Sequence, residues 1–160
     1  MNPIDLIGAA DRSVRKAIAG LEPDDWAIPV AGDWTAKDVL GHLSVSHART
    51  ADVLAAFAAG HPPERDPHDE EGSEFNQAQA AVRSDWAVDR VNAEYDEVQA
   101  RLRQVAESVD LAAWPVVGTL SWYPRYSLDD LVAYRIYGHA RNHATHLDLA
   151  AHVGRARRAR

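Results

Sequence analysis

Half of the eight histidines in this 160-residue chain fall within one stretch, "YGHARNHATHLDLAAH", from Tyr137 to His152. His139 and His143 stand four residues apart. On a helix their rings stack one turn apart, where two imidazole nitrogens can meet a single ion. At about 100° per residue, His143 lies roughly 40° to one side of His139 and His146 roughly 20° to the other. These three rings interrupt a stripe whose other members, Leu128, Val132, Ala150 and Val153, are apolar, while His152 faces the opposite way. The His139-Ala-Arg-Asn-His143 pair shares the geometry of H-E-x-x-H zinc sites without their Glu. The same pattern also describes polar core residues or a helix–helix contact, so a third ligand is needed to decide.

The segment "DVLGHLSVSHART" offers His42 and His47. They are separated by about 140° of helical rotation, which makes a shared site unfavourable. The pattern by itself does not choose between them. His61 and His68 fall in "HPPERDPHDEEG", read as a mobile surface loop and a poor support for ligands. Because the chain has no cysteine, disulfides and Cys-ligated metals are excluded, and any sulfur nucleophile must arrive as a cosubstrate. Arg135 and Asn142 lie near the histidine face, about one turn before and just under one turn after His139. They could bind a substrate carboxylate or orient a ligand; hydrogen bonding to helix neighbours is the plainer reading.

Four helical segments position these residues. The first spans about Pro3 to Ala19, with Ile4, Ile7, Val14 and Ile18 at helical spacing and Gly20 as a stop. The second opens at Thr35, where Asp38 completes a capping box, and closes at Gly60. The third is read as one long helix from about Ser73 to Val109, with a stripe of Val88, Val91, Tyr95, Val98, Leu102 and Val105. The last opens at Ser127 with Asp130 completing its box and runs to about Val153, with Gly154 as its stop. Between the last two helices, "DLAAWPVVGTLSWYPRYS" reads as an ordered aromatic loop over an end of the bundle. Four amphipathic helices must share one core, so the fold expected is an all-α four-helix bundle over residues 1–154. Residues 155–160 form a basic tail, read as solvated and frayed.

Apolar residues make up 46% of the chain and charged residues 26%, as in ordinary globular domains. A formal net charge of −7 argues against a nucleic-acid surface. No apolar run is long enough to span a bilayer, and the N-terminus lacks the pattern of a signal peptide. The expectation is therefore a cytoplasmic protein with no nucleic-acid or membrane partner. An exposed flank of the bundle leaves room for a homodimer.

"DWTAKDVLGHL" followed by "YGHARNHATHL", with "EFNQAQAAVRSDWAVDRVNAEYDEVQARL" between them, resembles the DinB-like superfamily of four-helix-bundle proteins. The resemblance covers about Ile4 to Val153. That superfamily includes thiol-dependent S-transferases and mycothiol-dependent maleylpyruvate isomerases. The resemblance implies a divalent metal held by one second-helix and two last-helix histidines, here His42, His139 and His143. Zinc is the first expectation, with nickel and iron also suited to the donor set. Where this chain has His146, members of the family often have Gln, which leaves His146 as fourth ligand, substrate contact or proton carrier. His146 and Arg135 are the residues assigned to catalysis. The implied activity is a metal-dependent transferase or isomerase acting on a small electrophile with a low-molecular-weight thiol, or a hydrolase using metal-bound water. Sequestration of a reactive small molecule without turnover is the alternative.

Overall fold

A computed structural model describes residues 2–70 and 72–160. Helix α1, Pro3–Ile18, starts where the Asn2 side chain accepts the Ile4 N–H at 3.0 Å. It buries Ile7, Ala10, Val14 and Ala17. The connector then forms a 3₁₀ turn, Pro23–Ala27, and a short antiparallel hairpin of β1, Pro29–Ala31, and β2, Trp34–Thr35. Gly32, at φ +60°, supplies the left-handed residue that the tight hairpin turn requires.

Helix α2, Ala36–Ala58, begins with the expected capping box: Thr35 Oγ1 accepts from the Asp38 N–H, and Asp38 Oδ2 accepts from the Thr35 N–H. Gly60, at φ +79°, turns the chain away as expected. The region read as one long helix is instead two. Helix α3, Ser73–Val82, buries none of its side chains, whereas α4, Val88–Ser108, buries Val91, Tyr95, Gln99, Leu102 and Ala106. The break at 83–87 contains neither Gly nor Pro. What fixes it is Arg83, buried in the turn, whose Nε donates to Glu94 Oε2 at 2.7 Å while its guanidinium faces the Trp86 ring.

The aromatic segment is ordered, with Trp114 and Leu120 in the core and the Gly118 N–H donating to the Tyr126 carbonyl at 3.0 Å. The last rod opens at the expected Ser127–Asp130 capping box. It comprises α5, Leu128–Val132, a π-helical turn, Ala133–Gly138, and α6, His139–Arg158. Gly154 does not stop it. The residue lies inside α6, where a Cβ would sit 1.7 Å from Asp25 Oδ1, so glycine is there to admit a buried carboxylate. Nor is the basic tail frayed: Arg158, in the last turn of α6, donates to Asp25 Oδ1 at 2.6 Å.

Contacts between helices close a ring in the order α1, α6, α2, α4 and back to α1. This is an all-α four-helix bundle whose corners are those four helices. Among the described residues no helix is long and apolar enough to cross a membrane.

Candidate metal centre

His42 lies in the second turn of α2, held there by the Thr35 cap. The preceding Gly41 leaves room for the Arg83 side chain, whose Cδ would lie 2.8 Å from a Cβ at that position. His139 is the first residue of α6 and His143 follows one turn later. The α2–α6 contact brings the three together although 97 residues separate His42 from His139. One ligating atom from each lies within 4.8 Å of the others, and the Nε2 atoms of His42 and His139 are 3.0 Å apart. The Trp34 ring, 5.1 Å from that of His42, walls the site from the hairpin side.

The rings are partly buried, and burial disfavours their charged forms. Burial holds His42 down to about 4. His143 lies at about 4, through burial and then the His42 and His146 rings. His139 lies at about 2, through burial and then the His143, His42 and His47 rings. All three are therefore neutral near pH 7, with lone pairs available for coordination. Two nitrogens ~2.0–2.1 Å from one tetrahedral ion lie about 3.3 Å apart, close to the His42–His139 spacing. The donor set thus fits a divalent ion bound by three imidazoles, with at least one position left for another ligand.

His146 stands behind this trio, its Nδ1 3.2 Å from Nδ1 of His143. That contact occupies the far nitrogen of His143 and leaves its Nε2 for an ion. His47, the other second-helix candidate, is fully buried and outside the trio. Its Nδ1 meets the side-chain Nε2 of Gln99 at 2.7 Å, and its ring centroid is 6.2 Å from that of His139. Burial, followed by the His42, His143 and His68 rings, lowers its pKa to about 3.

A cavity of about 450 Å³ opens beside His139, lined by Ser46, Tyr134, Arg135, Gly138, His139 and Asn142. Asn142 therefore lies beside His139 as the helical spacing expects, and Arg135 reaches the same cavity from the π-helical turn. Arg135 is not free, however: its Nη2 donates to Asp66 Oδ2 at 2.9 Å. Asp66 Oδ1 lies 2.9 Å from His68 Nδ1, and His68 Nε2 lies 3.2 Å from Thr50 Oγ1. This corrects the reading of Asp66 to His68 as part of a mobile surface loop; Glu71, in the same stretch, lies outside the described residues. His68 is buried, and its backbone N–H donates to Asp66 Oδ1 at 2.9 Å in a local turn. The Asp66-Pro67-His68 spacing carries the signal, set among charged neighbours that make the stretch read as solvated. The hydroxyl–imidazole–carboxylate order of Thr50, His68 and Asp66 is that of a nucleophilic triad. Yet Thr50 is fully buried and its hydroxyl donates to the Ser46 carbonyl at 3.3 Å. It clamps the connector to α2 and exposes no nucleophile.

A second cavity, about 570 Å³, is lined by Tyr123, Tyr126, Asp130, Ala133 and Tyr134. Tyr134 borders both cavities. Of the other aromatics in this loop, Trp114 is in the core, and Trp122 donates from Nε1 to the Pro63 carbonyl at 3.0 Å.

A family model described as the DinB superfamily matches residues 7–147, which includes all three histidines of the trio. No curated protein and no solved structure matches the chain.

Proposed function

The chain belongs to the DinB superfamily, and from that premise we propose that it is a divalent-metal-dependent enzyme acting on a small electrophilic metabolite in the cytoplasm. The observation that carries this reading is the convergence of His42, His139 and His143, neutral and within reach of one ion. A bound ion, zinc by the donor set, would polarise an electrophile or lower the pKa of water or of a thiol. Without a protein cysteine, transfer or isomerisation by a low-molecular-weight thiol requires that thiol as cosubstrate. Hydrolysis is the other outcome such a centre supports.

The protein's own residues divide the remaining work. His146 fixes the orientation of the His143 ring, as an outer-shell partner does. Arg135 and Asn142 bind polar groups of the substrate in the cavity beside His139. Because Asp66 already pairs with Arg135, this site favours a substrate with a dispersed or single negative charge over a strongly anionic one. Protein purified without added metal or an affinity tag is expected to carry about one divalent ion per chain, with His42→Ala and His139→Ala largely depleted. Elemental analysis measures this; full occupancy in both variants would overturn the assignment.

Sequestration without turnover is the second reading, and the adjoining tyrosine-lined cavity favours it, since aromatic walls commonly hold small apolar ligands. Turnover of reactive electrophiles with and without thiol separates the two readings. Tryptophan quenching with no product would support sequestration.

A further inference from the structure

Three of the seven buried side-chain atoms with no hydrogen-bonding partner among the described residues, Tyr95 Oη, Gln99 Oε1 and His47 Nε2, lie in one region beside Asp11, whose Oδ1 pairs with Arg15 Nε at 2.9 Å. They are not scattered. Tyr95 and Gln99 are four apart on one face of α4, and the Tyr95 ring is 6.3 Å from that of His47. Gln99 holds His47 by its amide, and His47 in turn is 6.2 Å from His139, ring to ring. At the outer end, Asp11 and Gln99 line a cavity of about 190 Å³ between α1 and α4, together with Arg15, Asp96 and Arg103. Reversing the Gln99 amide exchanges donor and acceptor toward His47 Nδ1 but leaves one amide atom and His47 Nε2 unmet either way. His47, Tyr95 and Gln99 are each more than nine-tenths buried.

Buried polar groups that the protein does not satisfy are met by internal water where the site is polar and roomy. We propose that His47 and Gln99 anchor a line of internal water molecules running from the α1–α4 cavity to the rear of the histidine trio. It would give water and protons an entry to the centre separate from the cavity beside His139, which none of these four residues lines. Its role at a metal rests on the proposed function; its existence does not.

The test uses the full chain, metal-free and zinc-loaded. Magnetic relaxation dispersion of water counts long-lived internal waters, and NMR measures solvent exchange of the His47 ring N–H. Wild type is expected to hold long-lived waters that Gln99→Leu loses, and the His47 N–H is expected to exchange faster in wild type than in the variant. An unchanged water count, or a His47 N–H as protected in wild type as core amides, overturns the proposal. Should Gln99→Leu fail to fold, Tyr95→Phe, which deletes one hydroxyl and keeps the ring, replaces it with the same two readouts. Metal content of the same samples is measured separately, so a dry core and an absent metal are distinguishable results.

Discussion

His146 shows what a single ring can do without joining the cluster. Its Nδ1 lies 3.2 Å from Nδ1 of His143, a ring-to-ring hydrogen bond that holds the His143 ring in one orientation. Deleting that partner leaves the three ligating nitrogens present but one of them loosely aimed. His146→Ala is therefore expected to weaken zinc affinity by roughly 10–100-fold, with saturating metal still binding at about one ion per chain. Competition titration against a chelator checks this, and an unchanged affinity would reduce His146 to a surface residue. The His139–His143 pair was legible from spacing because a helix repeats its faces. His42 was legible only through the family resemblance. The rotation between His42 and His47 shows that they diverge and is silent on which one meets α6. Gln99 and Thr50 were illegible because each acquires its partner from another element, as does Asp66 in its pairing with Arg135.

Elements placed the site more finely than their periodicity indicated. The π turn at Ala133–Gly138 changes the angular register between α5 and α6, so a single count of 100° per residue cannot run from Leu128 to His139. Within that turn Arg135 and Gly138 join His139 around one cavity, as such turns often do at functional sites. The sequence pattern of an α-helix and of a helix with one wide turn is the same over so few residues. Gly154 was misread for a related reason, since glycine after an apolar stripe normally ends a helix. Here it creates space for Asp25, whose carboxylate is held well below its ordinary range by the Arg158 guanidinium and then by the Glu22 N–H. Gly154→Ala would put a methyl group into that carboxylate and separate the pair. The expected loss is about 1–3 kcal/mol by overpacking, read by urea denaturation. A variant as stable as wild type would show that α6 tolerates a shift there. The residue is remote from the trio, so metal affinity is expected to hold.

At the scale of the molecule, the cluster joins α2 to α6, two corners of the bundle that are far apart in sequence. The bundle class followed from four amphipathic stretches, but the ring order of the helices depends on contacts that periodicity does not encode. Placing four neutral histidines, His42, His47, His139 and His143, inside that ring has a consequence for stability. Their folded pKa values of about 4, 3, 2 and 4 lie below the ordinary 6.5. Between these limits the unfolded chain binds protons that the folded chain refuses, so the metal-free protein loses stability as pH falls below about 6.5 and continues to lose it toward pH 4. Above pH 6.5 these groups contribute no slope. A divalent ion bound by the folded trio opposes the loss: at free metal 1,000-fold above Kd the gain is about 4 kcal/mol. That gain shrinks in acid as protons compete for the same nitrogens. Melting curves from about pH 7.5 to 4.5, with chelator and with zinc, are expected to diverge most near neutrality and to converge toward pH 4.5. A metal-free Tm that stays flat across this range would mean that the rings are hydrated and free to titrate in the folded protein. Coincident curves at pH 7.5 would mean that zinc does not bridge α2 and α6.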